Sequence, residues 1–598
     1  MPERHRIGRA AGAVTWTILG LAVVGCSSTW NERERQTIRQ SLDRVNAAAE
    51  ASKAEAARPA APAPPAPVRT GEVEMTLFDA LRTALTANQD VQIAGFTPLL
   101  AETDMVRARA VYDPTVFLSD SHGRNKRPIQ SRLEGTTGID SALIEDTWSM
   151  KGGVKQRVPT GGTLAVFQTM SYLDTNNLST IPKTQYTSGL AAELSQPLLQ
   201  GFGDVVGRAT IRIASLSADI SLEDFRQKVM EVATRVVSAY WQLAFDREML
   251  RVSRDSLHMA QDVLRNEQAR AGQTLSSQLN VARAASAAST RKTDVLRAGN
   301  RVRNSEDQLK RLMNSPDIPV DADVRVVPVE APQFFLVDVD RSACMTRALS
   351  RRPELERART TLDINRIRID VADRQRLPKL DAMLRYTLNG MDTTLGDSLD
   401  MLHITDPITW VAGIEFELPL GNRAAQAEHQ RRRVEYEQAL LEADRLTGQV
   451  LTEVSLAVRS VLQGRDEVEY SSQARDAAKR VVDLEPVRAE LGALDTRNND
   501  EMLRAQETWA AAERDYLAAL LNFNLALTEL ARAQGTLIED NGVEVVWPEA
   551  DRPGRLMPVG LRVPEKPPTP PSPAAPSAPA APAPAEKAPA TPPAPAPP

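Results

Sequence analysis

Residues 222–264 read LEDFRQKVMEVATRVVSAYWQLAFDREMLRVSRDSLHMAQDVL, and this stretch sets the architecture. Leu222, Val229, Val236, Leu243, Leu250, Leu257 and Leu264 recur every seven residues without interruption. A strict seven-residue apolar period keeps one seam facing a partner helix and imposes left-handed supercoiling. The surrounding segment, Arg208 to Ala271, holds neither Gly nor Pro. As one helix it spans about 95 Å at 1.5 Å per residue.

Gly272 interrupts that helix, and a second long apolar-periodic segment runs from Gln278 to Met313. The arrangement recurs downstream. Leu451, Val454, Val458, Val461 and Val468 keep a 3-4 rhythm, Gly492 interrupts it, and Glu501 to Gln534 returns. Each Gly suits the positive-φ residue that ends a helix. Each half therefore reads as a long antiparallel helical hairpin.

The repeat extends beyond the hairpins. Ala80, Ala84, Leu85, Val91, Ala94 and Pro114 have counterparts in Cys344, Ala348, Leu349, Leu355, Ala358 and Pro378, all at offset 264. Gln196-Pro197-Leu198 faces Leu418-Pro419-Leu420 at offset 222, and Gly272 faces Gly492 at offset 220. The first half thus carries about 42 additional residues, 264 less 222, between its first strand and its long helix.

Between the helices the period changes to two. Trp148, Met150, Val154 and Val158 alternate with Ser149, Lys151, Lys155 and Arg157; Tyr186, Leu190 and Leu194 alternate with Thr187, Gly189 and Glu193. Leu380 to Leu388 and Ile408 to Leu418 alternate likewise, and Pro114 to Ser121 and Thr163 to Tyr172 complete about six strands. One apolar and one polar face suit a barrel with lipid outside and water inside. Six strands fall short of the eight in the smallest bacterial barrels. An open sheet edge leaves polar groups unpaired in lipid, so closure requires several chains.

Composition narrows the function. The 598 residues are 42% hydrophobic and 25% charged but only 4% aromatic, which favours a long helical shape over a large compact core. A net charge of −6 argues against a nucleic-acid partner. Two cysteines and five scattered histidines offer no disulfide framework, metal site or cofactor site. No nucleophile–base cluster marks an enzyme. Gly201-Phe202-Gly203-Asp204-Val205-Val206-Gly207 is GxGxxxG without a following βαβ unit, so it is no nucleotide site. Arg431-Arg432-Arg433 reads as a solvated helix face and Cys344 as a small core residue.

The termini are of another kind. Arg4, Arg6 and Arg9 precede an apolar segment, Ala11 to Val24, and then Val23-Val24-Gly25-Cys26, which resembles a bacterial lipobox with Cys26 as the lipid anchor. Ser27 after the cysteine resembles the outer-membrane signal of enteric lipoproteins. The expected domains are a signal peptide at 1–25, a lipid anchor and Ala/Pro-rich tether at 26–73, repeats at 74–334 and 335–547, and a disordered Pro/Ala-rich tail at 548–598.

Taken in order and spacing, these elements resemble the TolC-like outer-membrane efflux proteins from about Met75 to Leu537. The matching text includes 196–203, QPLLQGFG, then Leu418-Pro419-Leu420, and Gly272 followed by Ser277, Leu279 and Ala282-Arg283-Ala284. The resemblance implies a mainly α fold with membrane β: periplasmic coiled-coil hairpins forming an α-barrel, and strands contributing to a shared trimeric β-barrel. It implies a homotrimer in outer-membrane lipid that works with a periplasmic adaptor and an inner-membrane transporter, in a tripartite efflux pump or type I secretion system. By the same resemblance Gly272, Ser277 and Gly492 mark adaptor-docking tips. The family places two acidic residues at its tunnel mouth; here Asp500 or Glu501 stands there, followed by Arg504. The alternative from the residues alone is a lipid-anchored periplasmic coiled-coil scaffold whose strands form a soluble domain.

Overall fold

The repeated helix pair is visible in its caps. In a computed structural model, which describes residues 71–129, 142–272, 278–404, 407–490, 498–546 and 559–564, β1 (Gly71–Met75) leads into α1 (Leu77–Ala87). The N-cap Thr76 accepts the Asp79 N–H, satisfying one of the free donors of the first turn. Asn88 closes α1 and caps α2 (Gln89–Arg109) by accepting the Asp90 and Val91 N–H groups. Four strands follow: β2 (Thr115–Pro128), β3 (Ala142–Arg157), β4 (Thr163–Thr175) and β5 (Thr184–Pro197). A one-turn helix, α3 (Asp204–Gly207), turns the chain into α4 (Ala209–Gly272), of 64 residues. Helix α5 (Gln278–Met313) runs back beside it, and β6 (Val324–Pro328) pairs in parallel with β1.

The second half repeats the plan. Helix α6 (Arg341–Arg351) has N-cap Asp340 and C-cap Arg352, each 264 residues after Thr76 and Asn88. Then come α7 (Pro353–Gln375), β7 (Lys379–Asp392), α8 (Leu395–Ile404), β8 (Ile408–Glu417), α9 (Arg423–Glu490) and α10 (Asn498–Gln534). The last described elements are α11 (Leu537–Asp540), β9 (Glu544–Val546) and β10 (Gly560–Arg562).

Strands β2-β3-β4-β5-β7-β8 form one six-stranded sheet, antiparallel at every step, with β5 against β7 joining the halves. The extra residues of the first half therefore appear as an extra hairpin. The long helices are joined as well. Helix α4 touches α7 and α10, and Arg357 Nη1 meets Asp224 Oδ1 at 2.5 Å.

Two apolar clusters lie at the waist, where the short helices pack on the long ones. The first gathers Leu81, Phe225, Val236, Leu243, Leu309 and Met313; the second gathers Ala348, Val454, Val461, Phe523 and Leu530. Burying each such large side chain stabilises by about 1.5–3 kcal/mol. The heptad seam is completely buried at Val229, Val236 and Leu243 but only half-buried at Leu257 and Leu264. Towards the tip the buried apolar residues are small, Ala260, Ala284 and Ala288, which lets α4 and α5 approach closely, and Glu267 is buried there as well.

Two expectations need correction. Gly272 is the last residue of α4 and does not lie at positive φ; a Cβ there would meet open space. The helix thus continues through the glycine rather than ending on a left-handed residue. The disordered tail does not begin at 548 throughout. Val559 is buried in the first cluster, its N–H donates to the Gly95 carbonyl, and β10 pairs with β9. The alternation Val559, Leu561, Val563 presents one apolar face to that cluster despite its Pro-rich neighbours.

Candidate functional site

Successive strand residues point to opposite faces, and directly paired residues share one. The register therefore sorts the sheet. One row runs Val116, Val154, Val166, Ala192, Tyr386, Trp410 across all six strands. Its neighbour, one residue along, runs Thr115, Lys155, Ala165, Glu193, Arg385, Val411 on the opposite face. Even-numbered residues thus build an apolar face, with Ile414 at 73% and Trp410 at 69% exposure. Trp148, Tyr172 and Tyr186 form an aromatic row towards the far end, and the two tyrosine rings lie 4.9 Å apart. Such a row suits a membrane interface. Asp120 and His122 share this face, and the Trp148 indole donates to Asp120 Oδ1 at 2.6 Å.

Odd-numbered residues carry the charges over the helical half of the sheet, whereas towards the far end the even positions are charged as well, Arg124 pairing with Asp146 at 3.1 Å. Arg385 Nη2 lies 2.6 Å from Glu193, Lys379 Nζ lies 3.0 Å from Glu415, and Lys151 Nζ stands 4.0 Å over the Phe167 ring. These cross-strand pairs follow from register between hairpins, which a single strand's alternation does not reveal.

Glycines permit the tight junctions. Gly201 and Gly203 adopt positive φ where β5 turns into α3. A Cβ on Gly390 would stand 2.0 Å from the Ser398 carbonyl, so α8 seats against β7 only over a glycine. The segment GxGxxxG is accordingly this turn.

At the opposite end lie the hairpin tips. Gly272 ends α4. Asp500, Glu501 and Arg504 fall in the first two turns of α10, with Glu501 and Arg504 exposed and three residues apart on one helix. Ser277, Gly492 and the expected anchor Cys26 lie outside the described residues. Cys344 is buried in the second cluster, and burial raises its thiol pKa. Arg431 and Arg433 are exposed, and Arg431 pairs with Glu435 at 3.0 Å.

The waist holds polar knots that the pattern of residues did not reveal. Leu77, the first residue of α1, donates its N–H to Glu330 Oε2 at 2.6 Å, and the Tyr240 hydroxyl lies 2.7 Å from the same oxygen. Burial, and then the bond to Glu330, raises the Tyr240 phenol pKa well above 10.0. In the second half the buried Arg352 donates to the Ala533 carbonyl at 2.9 Å and pairs with Glu354 and Glu453. Apart from the Arg352–Glu354 pair, these contacts join residues 90 to 253 positions apart in the chain, so no local period encodes them.

Among the described residues no cluster of His, Cys, Asp or Glu is arranged to hold a metal ion, and no helix is long and apolar enough to cross a membrane. The chain matches a family described as "Outer membrane efflux protein" over residues 80–315 and 345–536. No curated protein sequence matches it. Solved structures share its fold. The CmeC outer membrane channel of Campylobacter jejuni is 16% identical, with TM-score 0.54, covering 77% of this chain and 86% of its own. VceC of Vibrio cholerae is 16% identical, with TM-score 0.54, covering 77% and 96%. A membrane protein from Pseudomonas aeruginosa is 17% identical, with TM-score 0.55, covering 80% and 98%.

Proposed function

The chain belongs to the outer membrane efflux protein family as an outer-membrane channel for efflux, and on that premise we propose that it is the passive duct of a tripartite efflux pump or type I secretion system. Three copies share one barrel in the outer membrane, and their long hairpins line a tunnel through the periplasm. Substrate enters from the periplasm or from an inner-membrane transporter and leaves to the exterior. Energy comes from that transporter, because the duct itself binds no nucleotide.

The observation that carries this reading is the row pair on the sheet: an uninterrupted apolar face from Val116 to Trp410, backed by a charged one from Thr115 to Val411. A soluble domain gains nothing from leaving such a face open to water, whereas lipid covers it. Cys26 carries the acyl chains that tether the chain to outer-membrane lipid. The tips at Gly272, Ser277 and Gly492 receive the periplasmic adaptor. At a threefold axis Asp500 or Glu501 repeats as an acidic ring and Arg504 as a basic one, which sets ion preference in a narrow pore.

The test is the purified full chain in planar lipid bilayers, with its mass in detergent. Heat-resistant trimers with discrete conductance steps are expected. A chain that partitions into the aqueous phase once Cys26 is replaced by Ser, and opens no channel, is a lipid-anchored scaffold instead. For the anchor itself, the wild-type chain takes up labelled palmitate and the Cys26→Ser chain does not; wild type without label overturns that part.

A further inference from the structure

We propose that the membrane wall is an eighteen-stranded barrel, closed by β2 of each copy pairing antiparallel with β8 of the next. This rests on the trimeric reading above and adds to it the strand count, the joining edges and their register.

The first argument is parity. Among the described residues strands β2 and β8 are the two ends of the sheet, each paired on one side only. In lipid those free N–H and C=O groups need partners, since each unsatisfied group costs several kcal/mol. Six strands alternating in direction leave end strands that run opposite ways. A β8 therefore meets the β2 of a neighbouring copy antiparallel, and the alternation continues around the ring. Three copies of a six-stranded sheet give eighteen strands.

The second argument is stagger. At the helical end of the sheet Glu417 faces Lys379 and Pro197 faces Asp381. Thr163 faces Ser195, which faces Met383, and Arg157 shares that row. Thr115 faces Lys155, whose row leads through Ala165 and Glu193 to Arg385. The strand ends thus climb six residues, from 379 to 385, over five strand-to-strand steps. At about 3.4 Å per residue and 4.8 Å per step, that is a tilt of about 40°. Transmembrane barrels tilt by about 35–45°. All six strands, the extra hairpin of the first half included, obey this one stagger, so the sheet is already an arc of a closed wall. A hairpin that left the wall would be under no such constraint.

The third argument is the match of the two edges. Even-numbered residues of both strands lie on the apolar face, so even must oppose even across the joint. The register that keeps the helical rim level sets Thr115 opposite Glu417. Val116 then opposes Phe416 and Leu118 opposes Ile414, pairs that continue the apolar rows without a break. All four side chains are exposed in the single chain. The first half contributes four strands and the second two, so the additional hairpin widens the lumen. Eighteen strands at this tilt give a barrel about 36 Å across between backbones, against about 24 Å for twelve.

Electron cryomicroscopy of the wild-type protein in lipid nanodiscs counts the strands directly. Alongside it, a chain carrying Leu118→Cys and Ile414→Cys is oxidised and run without reductant. Eighteen strands are expected, with a ladder that ends at a covalent trimer and is absent from either single variant. A threefold particle with a twelve-stranded wall overturns this inference and leaves the trimeric duct standing. A particle without threefold symmetry overturns the trimeric reading itself. Should the double variant fail to assemble, Val116→Cys with Phe416→Cys probes the same joint, and the wild-type image decides in either case.

Discussion

Position 88 in the first half and position 352 in the second perform the same task with different chemistry. Both close an 11-residue helix and both donate to a carbonyl at the end of the returning helix, Leu312 for Asn88 and Ala533 for Arg352. Asn88 does so as a neutral amide whose own oxygen also caps the next helix. It needs no other partner. Arg352 brings a charge into a site that leaves it 4% exposed, so Glu354 and Glu453 must stand beside it. A buried neutral cap is self-sufficient, whereas a buried charge commits its neighbours.

That contrast sets the order of expected effects. Arg352→Ala strands the Ala533 carbonyl and removes the cation from Glu354, and the loss should be about 3–5 kcal/mol. Asn88→Ala removes a cap and one buried bond and should cost about 1–3 kcal/mol. Urea unfolding of the two variants compares them; equal losses would mean that the charge adds no obligation.

The halves also differ in cover. Among the described residues only the first cluster includes residues beyond 558, Val559, Leu561 and Val563. Ending the chain after residue 558 should destabilise it by about 2–3 kcal/mol, one well-buried side chain's worth, while ending it after 564 should change nothing. Matching midpoints for the two truncations would place that segment outside the folding unit.

A smaller effect is expected at Tyr240, which knots only the first half. Tyr240→Phe removes a buried hydroxyl bond and should cost about 1–2 kcal/mol. The sign of its pH dependence follows from its raised pKa. A phenol that ionises later in the folded state contributes stability that is complete below the ordinary value of 10.0 and is lost as pH rises above it. Wild type should therefore lose stability above about pH 10 more steeply than Tyr240→Phe. Parallel alkaline profiles would exclude this tyrosine.

At the tips no stability change is expected, only selectivity. Arg504→Glu should raise cation preference, read as the reversal potential under a salt gradient. If Arg504→Glu and Asp500→Ala both leave that potential unchanged, these residues face away from the lumen.

Much of this is legible in the sequence. The seven-residue seam at Leu222–Leu264 marks α4, the Gly- and Pro-free stretch from Arg208 to Ala271 gives its ends to within a residue, and the 264 offset pairs α1 with α6. Alternation located all six strands of the wall. These signals are local: a helix or strand must show one face to a core or to lipid, and its period is written into consecutive residues. Gly272 departs from its expected conformation for a related reason, because a glycine permits positive φ without requiring it.

Tertiary structure alone decided which strands are neighbours, that β5 meets β7 between the halves, and that the sheet's stagger suits a tilted wall. It alone brought Glu330 to Leu77 and Tyr240, Arg352 to Ala533, and Val559 to the first cluster. Each of these contacts joins segments far apart in the chain, where the choice of partner depends on how whole helices and hairpins come together. The period of a segment specifies which of its faces must be covered, and only the assembled fold specifies by what.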